Sequence, residues 1–549
     1  MEKVDMLITH ANVLTMDEGN PIAGSVAITN GRISGIWSQA EPPAEEVGIL
    51  PQTDILNLQG ATLLPGFIET HNHLLHYAYL RESVDCSSPK NQGIPDLLQA
   101  IREKTYKKSF TEWIQGHGYD DTMLAEKRHP TRFDLDKASP DHPVFILHIS
   151  GHIGVANTRA LELAGITEDL IGDDSHYGRD GEGRLNGVLY ESRAMGAVQA
   201  VTPRINETMF IQELEKASKD YVAQGITTNT DAAIPDPSLL SMMLKAIEQG
   251  VIPMRMRLMI MHPLLGSNGP YANYTASQLN EEIQERSKGG ASLDSAKMFQ
   301  DGSIQGLTGA LREPYYCNDQ IRGDLIHDQA AFNEEVADLH QRGYRIAVHG
   351  NGDRAIGSIL EAYEHAITAA PRLDHRHRIE HVQTATTADL NKMQQLGVGG
   401  SFFINHVYFW GQRHKQIFLG PERAERISPL KEASDRKILF TLHSDCPVTP
   451  ISPLFLVWAA VNRLTREGEV LGAEQKIDVM TALQAMTIDG AKLNFQEENS
   501  GSIEIGKYAD FAVLDEDPTK IDPLRIKDIA VLYTIIGGKV KYVNTRVKD

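Results

Sequence analysis

Two histidines one residue apart, His71 and His73, close the apolar run Thr62-Leu-Leu-Pro-Gly-Phe-Ile-Glu-Thr. In an extended strand side chains alternate faces, so both imidazoles point the same way, about 7 Å apart along the strand. Two imidazoles converging where a buried strand stops can chelate a divalent metal, and a strand end brings them closer. Taken alone, the pair equally describes two exposed histidines on a strand edge. Four further candidate ligands occur in or after apolar runs. Lys297 lies inside Ala296-Lys-Met-Phe, His349 ends Ile346-Ala-Val-His, His381 ends Arg378-Ile-Glu-His, and Asp445 follows Phe440-Thr-Leu-His-Ser. Each has an ordinary explanation as well: a core histidine, a surface cluster with His375 and His377, a turn or capping aspartate, or a solvent-facing lysine. Their succession, each on a separate strand-like run, points to a metal centre.

Such residues can meet only if the strands that carry them share one edge. Strand-like runs at 63–68, 225–230, 255–260, 295–299, 344–348, 377–380, 398–402 and 438–442 alternate with helical patterns such as 209–224, 331–343 and 389–396. This is the signature of parallel βαβ units, and eight of them predict a TIM-like (β/α)8 barrel with reactive residues at the C-terminal strand ends. The first and second runs are separated by far more chain than a crossover helix needs. An insertion, a lid or substrate-binding subdomain, is therefore expected at 81–215 within a barrel spanning 62–499. Both chain ends read as short strands and turns, with Asn30-Gly31 and Gly537-Gly538 as hairpin signals. Residues 1–61 and 500–549 are expected to form a composite β-sandwich domain.

The composition is that of a soluble globular protein, with 41% apolar and 23% charged residues in 549. A formal net charge of −20 argues against nucleic acid and anionic membranes as partners. Only Cys86, Cys317 and Cys446 are present, which implies no disulfide framework and fits a reducing compartment. No signal peptide or membrane-spanning run is visible, so a cytoplasmic setting is expected. A homodimer is the base-rate expectation for its assembly.

The pattern resembles the amidohydrolase superfamily, and most closely the branch called amidohydrolase 3, or YtcJ-like, related to N-substituted formamide deformylases. The matching stretches are Leu64-Pro-Gly-Phe-Ile-Glu-Thr-His-Asn-His, Lys297-Met-Phe-Gln-Asp-Gly-Ser, His349-Gly-Asn-Gly-Asp-Arg-Ala, His377-Arg-Ile-Glu-His-Val-Gln and Ser444-Asp-Cys-Pro-Val. Trp113-Ile-Gln-Gly-His-Gly-Tyr, Gly151-His152 with Asn157, Glu313-Pro-Tyr and Gly506-Lys-Tyr-Ala-Asp510 match too. The resemblance covers nearly the whole chain. It implies one or two divalent metals, zinc being the first expectation, with His71, His73 and Asp445 on one, His349 and His381 on the other, and Lys297 bridging them after carbamylation by CO2. The chemistry is coherent, because an ammonium has no lone pair, whereas a neutral amine captures CO2 and becomes an anion with two oxygens.

The implied reaction is hydrolysis of a non-peptide C–N bond (amide, N-formyl or N-acyl) by a metal-activated water, with Asp445 moving the proton. Carbamate, ester or lactone hydrolysis would suit the same site. Deaminase relatives carry His-x-x-Glu at the fifth strand, and here the residue three after His349 is Gly352. A non-catalytic scaffold is the remaining alternative, and such relatives tend to lose ligands that are all present here. His152, Trp113, Ser303 and Arg312 are candidate substrate contacts. Tyr119, Phe402, Phe403 and Phe409 are candidate aromatic wall or ordinary packing.

Overall fold

The computed structural model describes residues 3–547 except 89, 107, 110, 111, 152, 204 and 205, and all but the side chain of Ser192. It divides into two compact units, residues 1–75 with 214–549, and residues 76–213.

The larger unit is built on eight parallel strands in chain order around the sheet: Phe67–Asn72, Ile226–Ile234, Arg255–Met261, Ala291–Phe299, Ile346–Gly350, Arg378–His381, Gly399–Phe402 and Phe440–Leu442. These numbers one to eight are used for the barrel strands below. Side chains close the seam between strands eight and one. Thr70 Oγ1 lies 2.8 Å from Thr441 Oγ1, and Ser444 Oγ donates to Glu69 Oε2 at 3.1 Å. The expected barrel is present.

The first barrel strand differs from the expected 63–68. The run is two strands: Thr62–Pro65 joins a sheet of the chain ends, and Phe67–Asn72 joins the barrel. The switch occurs at Gly66. Its N–H donates to Asp510 O, while the next N–H, of Phe67, donates to Gly225 O. A Cβ on residue 66 would meet Thr227 Cγ2 at 2.1 Å, so only glycine lets the chain cross here.

The two termini form a four-stranded and a six-stranded sheet. Met6, Ile8, Val13, Leu63, Phe511 and Ile535 share one core between them. Both predicted hairpins turn through left-handed pairs, Asn30-Gly31 and Gly537-Gly538, as primed turns require. Asp510 ties these sheets to the start of strand three, accepting from Arg255 Nε at 2.7 Å.

The smaller unit carries a mixed six-stranded sheet from Val84–Asp85 to Tyr177–Arg179. Trp113 lies in its core with Phe145, Leu161 and Leu189, 7% exposed. Asn157 caps the helix Thr158–Leu163, accepting from Ala160 N. Both residues are thus engaged in local packing. Among the described residues, no helix is long and apolar enough to cross a membrane.

Candidate metal centre

Strand one delivers His71, and His73 follows just past its end. Strand eight ends three residues before Asp445. Asp445 Oδ1 lies 3.3 Å from His71 Nε2 and 3.1 Å from His73 Nε2. Burial works against the Asp445 anion; hydrogen bonds from His71 and His73, where those nitrogens carry protons, hold its carboxyl well below the usual range.

The other nitrogen of His71 decides what this arrangement can hold. His71 Nδ1 lies 2.6 Å from Glu380 Oε2. Glu380 is kept ionised, against its burial, by Arg378 and His71. An ionised carboxylate only accepts, so the network assigns the proton to Nδ1. In the neutral ring Nε2 then presents a lone pair to the Asp445 anion. Asp445 Oδ1 is buried and has no hydrogen bond of acceptable geometry among the described residues. Lone pairs converging at this spacing repel unless His71 takes a second proton or a cation lies between them. The residues therefore fit a divalent metal.

A second set of donors adjoins the first. His349 Nδ1 is 2.9 Å from His381 Nε2, and His381 Nδ1 is 3.1 Å from His443 Nε2. Donor atoms of His71, His381 and His443 lie within 4.8 Å of one another, as do those of His71, His73 and Asp445. Burial, with neighbouring cations and imidazoles, lowers the pKa values of these rings, His349 to about 3 and His381 and His443 well below 6.5. Their lone pairs are therefore available at neutral pH.

Lys297, on strand four, is fully buried, and its Nζ has no hydrogen-bond partner among the described residues. Burial pulls its ammonium down to about 8, against the attraction of Glu380 and Asp445. A buried, unpartnered ammonium is costly. The position suits a neutral amine or a modified one.

Backbone geometry explains how neighbouring residues serve one site. Strict alternation would send Glu380 and His381 to opposite faces. His381 has a φ of 73° and Asp445 one of 52°. Left-handed conformations cost about 1–3 kcal/mol for non-glycine residues and concentrate at functional sites. The turn at His381 brings its ring 5.0 Å from that of His71 while Glu380 bonds the same histidine.

Sequence reasoning missed Glu380, Glu69, His443 and His406. The available signal was charge inside buried strands: Arg378-Ile-Glu380 places an ion pair in the barrel interior, with Arg378 Nε 2.6 Å from Glu380 Oε1. Beneath it, Asp294 pairs with Arg378 at 3.0 Å and Arg345 at 2.7 Å. Burial pushes the Glu69 carboxyl up to about 8. His406 is buried, its ring 4.2 Å from Phe403 and 6.4 Å from His381.

The substrate-contact expectations fare differently. His152 lies outside the described residues. Trp113 is core, as described above. Ser303 Oγ accepts from Gly306 N at 3.0 Å within its own loop. Arg312 pairs with Asp389, at 2.9 and 2.7 Å through its two terminal nitrogens. Of the aromatics, Phe403 stacks on His443 at 5.4 Å, whereas Phe402 is buried against Phe440.

Known proteins share this architecture. The chain is 29% identical over 560 residues to N-substituted formamide deformylase of Arthrobacter pascens, covering 98% of this chain and 99% of that one. It is 28% identical over 558 residues to the protein LONG AFTER FAR-RED 3 of Arabidopsis thaliana, covering 98% and 91%. An uncharacterized metal-dependent hydrolase from Pyrococcus horikoshii OT3 superposes with a TM-score of 0.75 at 21% identity, over 94% of this chain and 99% of that one. The amidohydrolase family model matches residues 54–542, and with nearly the whole length matched, the chain belongs to the amidohydrolase family of hydrolases.

Proposed function

We propose that this chain hydrolyses a non-peptide C–N bond of a small amide, an N-formyl or N-acyl amine, in a metal-dependent reaction. The observation that carries the reading is the lone-pair face of His71 set against the Asp445 anion, beside His73. The similarity to a formamide deformylase supports the bond class.

His71, His73 and Asp445 would hold one divalent ion, zinc suiting these donors. His381 with His349 or His443 would hold a second, and Lys297 would bridge them as its carbamate. A bound divalent ion supplies Lewis acidity, lowering the pKa of a bound water from about 16 toward 7. Asp445 takes the proton from the attacking water at Oδ1 and returns it to the leaving nitrogen. His406 is kept neutral by burial, which brings it to about 3. Its buried Nδ1 has no partner among the described residues. An N–H there would stabilise the oxyanion that develops on the substrate carbonyl. Lys297 Nζ would attack CO2 and lose a proton, leaving a carboxylate on nitrogen.

The test is metal quantification combined with a turnover screen over N-formyl, N-acyl, carbamate and lactone compounds. Amine release from the first two classes, abolished by chelation and restored by zinc, supports the proposal. Turnover of lactones alone would reassign the bond class, and a protein that binds no metal would end the metal-dependent reading.

A further inference from the structure

A further group of donors lies on the larger unit, beyond the end of strand three. His262 begins the short helix His262–Leu265, directly after strand three. His327 precedes the helix Gln329–Gln341, which carries Glu335. His262 Nε2 lies 3.8 Å from Glu335 Oε1, and His327 Nδ1 lies 3.9 Å from Oε2. The two rings meet edge to face, centroids 5.3 Å apart. One donor atom from each residue lies within 4.8 Å of the others.

These separations are too long for hydrogen bonds. They are close to the spacing of two ligands on one cation, roughly 3.3 Å for tetrahedral bonds of about 2.0–2.1 Å. The ordinary alternative is a pair of imidazolium–carboxylate contacts at the surface. That requires two protonated rings edge to face, 5.3 Å between centroids.

The donors are also held in place. The His327 backbone N–H donates to Gln300 Oε1 at 3.2 Å, and its carbonyl accepts from Gln300 Nε2 at 3.3 Å. Gln300 is itself fully buried at the end of strand four. The His327 ring stacks on Phe332, 5.5 Å between centroids. A histidine anchored at both backbone groups and on one ring face loses little freedom on ligation.

We propose that His262, His327 and Glu335 form a separate divalent-cation site, of the two-imidazole, one-carboxylate type, completed by water. Zinc is the ion that matches these donors. A cation there ties the end of strand three to both ends of the segment around His327. It thereby fastens the long excursion between strand four and the helix Gln329–Gln341, which includes Asp301 and Ser303 beside the barrel mouth. The site does not depend on metal at the mouth.

The experiment compares the full-length wild type with His262→Ala and Glu335→Gln. Each is loaded with zinc, dialysed into metal-free buffer and analysed for zinc per chain. The wild type is expected to retain one equivalent more than either variant, whatever the mouth holds, and zinc-soaked wild-type crystals to show anomalous density among the three side chains. Glu335→Gln preserves shape and guards against a folding defect, which circular dichroism checks. Equal zinc content in all three proteins, or anomalous density that appears only with zinc in millimolar excess, would overturn the proposal.

Discussion

The Nδ1 of His71 lies 2.6 Å from Oε2 of Glu380, and both side chains are buried. This contact selects which nitrogen of His71 faces Asp445, and Arg378 holds the carboxylate from the other side. Carboxylate partners of ligating histidines typically contribute 10–100-fold to metal affinity. Glu380→Gln is therefore expected to weaken zinc retention by about that factor, read by competition with a chromogenic chelator. Unchanged affinity would remove Glu380 from any positioning role.

Asp445→Asn keeps the side-chain shape but lowers its basicity. Turnover should drop by about 10²- to 10⁴-fold, the usual contribution of a positioned general base, while zinc content changes far less. A near-normal rate in the Asn variant would reassign the proton carrier.

His406→Ala should lower kcat by roughly 10- to 10³-fold with little change in metal content, the range seen when an oxyanion donor is removed. Steady-state kinetics on the best substrate from the screen decides this. A change confined to KM would make His406 a wall of the pocket rather than a donor.

The metal-free chain should lose stability in acid. Burial holds His349 and His406 at about 3 and His377 well below 6.5. The unfolded chain, with pKa values near 6.5, binds more protons than the folded one in this window. Stability is thus present above about pH 6.5 and falls as pH drops toward 3, by about 1.4 kcal/mol per pH unit for each such histidine. Urea melts of the chelated protein between pH 8 and pH 4 measure the slope, and a flat profile would contradict the buried neutral rings. At His377 the reason is visible: Nδ1 accepts from Ile346 N at 3.1 Å, a bond that protonation destroys.

Arg312 offers the opposite test. Its guanidinium grips Asp389, which caps the helix Thr387–Leu396 through Thr386. Because the arginine is partly exposed, Arg312→Ala should cost about 1 kcal/mol of stability and leave KM unchanged. A large rise in KM would restore Arg312 as a substrate contact.

His71, His73, Lys297, His349, His381 and Asp445 were legible because strand–helix alternation is local, and in a parallel barrel every strand ends at the same rim. Chain-end strands and both glycine hairpins were legible for a similar reason, since turn chemistry lies within a few residues. The break at Gly66 was not, because it depends on Thr227, a neighbour brought in by folding. Nor was the pairing of Glu380 with His71, separated by 309 residues. The left-handed turn at His381 overrides the alternation that a sequence reader must assume. His443 and His406 join the rim through ring contacts between strands six, seven and eight, and Arg312 is taken by a helix cap on another element. Local periodicity determines which residues can reach a shared edge; only the closed barrel, by burying charge without water, decides which partners they take there.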